Sequence, residues 1–134
     1  MNYELLLREH SLKATPQRVG ILSLMQTSGH LDVEELFTEI KKQFSTISLA
    51  TLYKNINAMM EKGLLTEIKI PNQKSKYEIA KAPHIHLLCQ ECNEFIDLKL
   101  DIGCLVDEAA KESHYRLKES SIVLSGVCEK CQAK

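Results

Sequence analysis

The chain has 134 residues, of which 44% are hydrophobic and 26% charged, and a formal net charge of −1. That length suits one domain or two small ones, and no stretch approaches the roughly 18 consecutive apolar residues of a membrane span. Residues 1–80 carry a net +1 and residues 81–134 a net −2, so nucleic acid cannot be held by bulk charge and any DNA contact must come from local placement of lysine and arginine.

The opening MNYELLLREH sets Glu4, Arg8 and Glu9 inside an apolar pattern and does not read as a secretory leader. A cytoplasmic protein with no membrane partner is expected. Five cysteines in that compartment point to metal or redox chemistry rather than to structural disulfides.

Leu5, Leu6 and Leu12 predict a first helix over about 2–11. Thr15-Pro16 is a helix start, a capping hydroxyl followed by proline in the first turn. Val19, Ile21, Leu22 and Met25 form the inward face of this second helix, and Gly29 ends it. Asp32 caps a third helix with Val33, Leu36, Phe37 and Ile40 inward. Ser48 caps a fourth that runs to about Lys62, with Gly63 as its C-terminal stop. LLTEIKI at 64–70, the turn-like PNQKS and KYEIA then alternate as a two-stranded ribbon. Helices followed by a hairpin predict a winged helix-turn-helix over residues 1–80. KAP at 81–83 reads as a hinge. Beyond it, strands are expected near 84–89 and 94–98, a helix over 101–114 and a strand over 116–126. This is a small α/β module spanning 84–134, so the fold class is α+β. A module of about fifty residues buries too little surface to be stable alone and needs a staple, a partner subunit or both.

The cysteines meet that need. Cys89-x-x-Cys92 and Cys128-x-x-Cys131 are two knuckles separated by 35 residues. Four thiolates on one zinc make a closed tetrahedral structural site, and its binding free energy becomes folding free energy. Two disulfides, merely neighbouring thiols or a redox-active pair are the alternatives. Cys104, on the predicted 101–114 helix opposite Ile102, Leu105, Val106 and Ala109, is left over as a spare thiol.

His84 and His86, two apart on a strand, point the same way. Asp97 lies on the next predicted strand, Glu78 ends the ribbon, and His30 lies between the second and third helices. Three imidazoles and two carboxylates suit Fe²⁺, Mn²⁺ or Zn²⁺, although a lone Glu or Asp is most often a solvated surface group.

In SLATLYKNINAMMEKGLL, residues 48–65, Leu49, Leu52, Ile56, Met59 and Met60 form an apolar stripe. The other face offers Ala50, Thr51, Lys54, Asn55 and Ala58, with no acid before Glu61. Small residues let such a helix approach base edges, Thr51 and Tyr53 suit thymine methyls, and Lys54 suits a phosphate or a base. Lys13 and Arg18, around the start of the second helix, can reach phosphates or the minor groove. An ordinary amphipathic helix with a solvated face accounts for the same pattern.

Taken together, TPQR at 15–18, SLATLYKNINAMMEKGLL, the H-x-H-x-x-C-x-x-C at 84–92 and the closing GVCEKC at 126–131 resemble the ferric uptake regulator (Fur) family over nearly the whole chain. The resemblance implies a homodimeric repressor, winged helix first and dimerisation module second, that binds A/T-rich inverted repeats in double-stranded DNA when metal is present. It assigns structural zinc to Cys89, Cys92, Cys128 and Cys131, and a regulatory Fe²⁺ or Mn²⁺ to His30, Glu78, His84, His86 and Asp97. The DNA-reading helix is 48–62. The resemblance puts Tyr53 and Lys54 at contact positions and Lys13 at the minor-groove position. With the residue-level reading of the helix, the DNA contacts expected are Lys13, Arg18, Ser48, Ala50, Thr51, Tyr53 and Lys54. Where many iron-sensing members have HHDH, this chain has Pro83-His84-Ile85-His86, and Asp97 stands where many iron sensors have Glu. Both features resemble the peroxide-sensing PerR branch, whereas Glu78 departs from the Asp often found there. In that branch His30 and His84 match the histidines that peroxide oxidises. An iron- or zinc-uptake repressor of the same family is the near alternative, and a non-haem iron enzyme the distant one.

Overall fold

In the computed structural model, which describes residues 1–81, 84–118 and 120–133, four helices occupy most of the first 61 positions: α1 (Tyr3–Glu9), α2 (Pro16–Ser28), α3 (Val33–Gln43) and α4 (Leu49–Glu61). Local chemistry starts each of them. Thr15 accepts from the Arg18 N–H at 3.3 Å, and Pro16 occupies the first turn. Asp32 and Glu35 close a reciprocal capping box. Ser48 accepts from the Thr51 N–H at 3.1 Å. Caps of this kind each stabilise by about 1 kcal/mol. Gly29, at φ 81°, and Gly63, at φ 76°, turn the chain out of α2 and away from α4 through the left-handed region that glycine enters without strain.

The chain divides into two units, Met1–Ala80 and Lys81–Lys134. In the first, Ile21, Leu22 and Met25 of α2, Leu36 and Ile40 of α3, and Leu52, Ile56 and Met59 of α4 form one buried core with Leu7 and Leu64. Strands β1 (Leu65–Ile68) and β2 (Lys76–Ile79) pair antiparallel, and residue 31 adds a bridge to Tyr77, with the Tyr77 N–H donating to the Leu31 carbonyl at 2.7 Å. Helices α3 and α4 form the helix-turn-helix and β1–β2 the wing.

Two inward faces differ from expectation. On α1 the buried anchor is Leu7, while Leu5 is half exposed, because Tyr3, Leu6 and Leu7 share the core-facing side. On α4 the stripe begins at Leu52. Leu49, in the first turn, faces water, and Ala58 packs partly against the core rather than on the open face.

The second unit holds β3 (Ile85–Cys89), β4 (Phe95–Leu98), α5 (Gly103–Ser113), β5 (Val123–Gly126) and α6 (Glu129–Gln132). The sheet order is β4-β3-β5, with β4 antiparallel and β5 parallel to β3. Helix α5 begins after Asp101, whose carboxylate accepts the Gly103 N–H at 2.8 Å, and stops where His114 turns left-handed. The strand expected over 116–126 pairs only along its last four residues, and its residue 119 lies outside the described residues. The hinge expected at 81–83 has residues 82 and 83 outside the described residues. Ile96, Leu98, Leu105 and Leu124 are exposed, and α5 buries no residue. No helix among the described residues is long and apolar enough to cross a membrane.

Candidate metal centres and nucleic-acid interface

Pairing of β3 with β5 sets Cys89 opposite Gly126, two residues before the second knuckle. Cys92 lies in the turn from β3 to β4, where Asn93 adopts φ 63° and donates its N–H to the Cys89 carbonyl at 2.9 Å. Cys131 lies on α6. The four thiols converge: Cys89 Sγ to Cys131 Sγ is 3.8 Å, Cys92 Sγ to Cys128 Sγ is 3.7 Å, and all four sulfurs lie within 4.8 Å of one another. An ion bound tetrahedrally at a Zn–S distance of about 2.3 Å requires its sulfurs about 3.8 Å apart. A disulfide needs about 2.05 Å, and all five cysteines are free thiols. The donor set therefore fits zinc. Cys104 is exposed and outside the cluster.

Backbone polarity prepares one ligand. The Cys92 N–H, and after it the Cys128 N–H, point at Cys89 Sγ from 3.5 and 3.4 Å and pull its thiol down to about 6. Cys131 is pushed up, first by its hydrogen bond with Cys128 and then by burial. These N–H donors favour the thiolate at Cys89. The remaining thiols release protons when an ion takes them, which makes binding pH-dependent.

The imidazoles fall into two groups, one in each unit. In the first unit the Leu31–Tyr77 bridge sets the preceding and following residues beside each other, and His30 Nε2 lies 3.4 Å from Glu78 Oε2. The Glu78 side chain is only 3% exposed, and so deeply buried a carboxylate needs a cation or strong donors. In the second unit the β3–β4 register places His86 opposite Asp97, with Nε2 3.3 Å from Oδ1. His84 Nε2 lies 3.0 Å from His86 Nε2, the rings edge to face. Two imidazole nitrogens and a carboxylate oxygen so close together suit a borderline divalent ion. Two neighbours of this group carry no signal in the spacing of the sequence. Phe95 stacks its ring on His86 with centroids 5.1 Å apart, and Lys81 pairs with Asp97.

The residues expected to contact DNA all lie in the first unit. Lys13, Ala50, Tyr53 and Lys54 are exposed, and Thr51 and Arg18 half-buried. The Ser48 hydroxyl is engaged locally, accepting the Thr51 N–H and bonding Thr51 Oγ1 at 2.9 Å. Asn55, expected on the open face, is half-buried and hydrogen-bonded to Arg18 and Gln17.

The family model described as the ferric uptake regulator family matches residues 9–131. A ferric uptake regulation protein of Synechococcus elongatus is 32% identical over 132 residues, 94% of this chain and 90% of the relative. A peroxide operon regulator of Bacillus subtilis is 28% identical over 135 residues, 96% of this chain and 90% of the relative. The crystal structure of the Campylobacter jejuni peroxide stress regulator superposes with a TM-score of 0.74 at 37% identity, covering 98% of this chain and 100% of that one.

Proposed function

The chain belongs to the ferric uptake regulator family, a family of metal-dependent transcriptional regulators, and from that premise we propose that it is a homodimeric cytoplasmic repressor that senses hydrogen peroxide. Cys89, Cys92, Cys128 and Cys131 hold structural zinc. One Fe²⁺ or Mn²⁺ draws on both imidazole groups, taking His30 and Glu78 from one unit and His84, His86 and Asp97 from the other. Loading then fixes the angle between the units, and in a dimer that angle sets the spacing of the two α4 helices. Paired helices bind DNA only when their spacing matches successive major grooves, here on an A/T-rich inverted repeat. The ion has different affinity for two arrangements, which is what coupling requires. A coupling of about 1–3 kcal/mol changes DNA affinity by about 5–150-fold. The exposed Ile96, Leu98, Leu105 and Leu124 of the second unit supply apolar surface for self-association.

The observation that carries this reading is the pairing of each imidazole group with a carboxylate, His30 with Glu78 and His86 with Asp97. Fe²⁺, when bound, supplies the one-electron chemistry that activates hydrogen peroxide. The chain's own part is to place His30 and His84 where an oxygen atom adds to the ring. An oxidised ring is a poorer donor, so the ligand set loses its hold and DNA is released. Mn²⁺ fits the same donors without that chemistry.

The family's uptake regulators are the second reading, supported by the Synechococcus elongatus relative and by Glu78. A gel-shift experiment separates the two. Under anaerobic conditions, duplex binding should rise with Fe²⁺ or Mn²⁺, and a brief exposure to low peroxide should abolish it in the Fe²⁺ form alone. Binding that tracks metal concentration and ignores peroxide assigns the chain to metal uptake control.

A further inference from the structure

Asn55 follows Lys54 on α4 and lies at the edge of the exposed face, half-buried. Both ends of its amide are engaged inside the protein: Oδ1 accepts from Arg18 Nε at 3.1 Å, and Nδ2 donates to Gln17 Oε1 at 3.4 Å. Arg18 Nη1 also donates, to the Lys13 carbonyl at 3.0 Å. A guanidinium is planar, so bonds at two of its nitrogens fix its plane. Among the described residues, neither Nη2 hydrogen has a protein partner.

We propose that Asn55 is a positioning residue: it reads no base itself but aims Arg18, so that Nη2 meets a DNA phosphate beside the groove entered by α4. The inference rests on the DNA-binding reading given above. An asparagine that reads adenine uses both amide atoms on the base edge, and here both are committed elsewhere. Ile21, Leu22, Leu52 and Ile56 already anchor both helices in one buried core, and none of that burial needs a cation. No acidic residue lies in the first turn of α2 or of α4, so nothing there competes for the guanidinium. Lys13 stands exposed beside it. Phosphate contacts set register and orientation on a duplex without carrying sequence information, and a preset arginine is suited to that role.

The test uses the zinc-replete, Mn²⁺-loaded full chain and an A/T-rich inverted-repeat duplex recovered by the wild type from a random library. Affinity is measured across a range of salt concentrations. Each lost phosphate contact lowers the salt slope by about 0.9, hence by about 1.8 for both protomers. Arg18→Gln and Asn55→Ala should each weaken binding about tenfold and lower the slope by that amount, with unchanged base preference. The double variant should be no weaker than Arg18→Gln alone, as expected of residues acting as one unit. Alanine is the better helix former, so Asn55→Ala should fold. Gln17→Ala, which removes only the anchor of the Asn55 amide, should give a smaller loss in the same direction. An unchanged slope in Asn55→Ala, a changed base preference at one position, or additive losses in the double variant would overturn the inference and leave the DNA-binding reading intact. If the wild type recovers no duplex, both fall.

Discussion

Cys89 shows how much one residue can draw on its neighbours. Its backbone belongs to β3 and its carbonyl to the turn that holds Cys92, while its sulfur receives N–H groups from both knuckles. The two C-x-x-C spacings announce such a cluster from sequence alone. The lowered thiol at Cys89 is legible only in part: the Cys92 amide that leads it lies three residues away, but the Cys128 amide arrives from 39 residues away. Cys89→Ser should therefore release zinc and unfold the second unit, as loss of a structural metal does in small modules. Elemental analysis with light scattering checks this: a zinc-free yet fully folded dimer would contradict the structural role.

Among the elements, those set by local chemistry were the legible ones. Thr15-Pro16, Asp32 with Glu35, and Ser48 start α2, α3 and α4 where their caps stand, since a cap needs only residues three or four apart. The strands near 84–89 and 94–98 were legible too, as β3 and β4. Extents set by distant partners were not: β5 covers only Val123–Gly126 of the 116–126 expected, and α6, inside the second cysteine knuckle, was not expected. The bridge from Leu31 to Tyr77 joins a loop to the wing with no local sign, and it brings His30 beside Glu78. The start of the α4 stripe was misplaced at Leu49 because periodicity cannot show where a helix meets its core. What periodicity does show is the Leu52–Ile56–Met59 face, each member fully buried. Ile56→Ala should destabilise the first unit by about 2–5 kcal/mol through a cavity beneath α4. Denaturant titration reads this, and a loss below about 0.5 kcal/mol, typical of surface substitutions, would mean α4 is not anchored there.

Each unit carries part of the proposed regulatory ligand set. His30 with Glu78 supplies two donors and His84, His86 and Asp97 three. The residue types were legible as metal donors, but their sorting into two carboxylate-paired groups needed the bridge at residue 31 and the β3–β4 register. Under the proposed mechanism His30→Ala should weaken Mn²⁺ binding and abolish Mn²⁺-stimulated duplex binding, with zinc content and dimer mass unchanged. A gel-shift titration still stimulated by Mn²⁺ in that variant would remove His30 from the switch.

In the proposed switch, peroxide acts on the imidazoles themselves. Peptide mass spectrometry of the iron-loaded protein after a brief peroxide exposure reads this, with the Mn²⁺-loaded protein treated alongside. One added oxygen is expected on His30 or His84 in the iron form and none in the manganese form. Unmodified histidines in iron-loaded protein, or equal oxidation with either metal, would contradict the proposed switch.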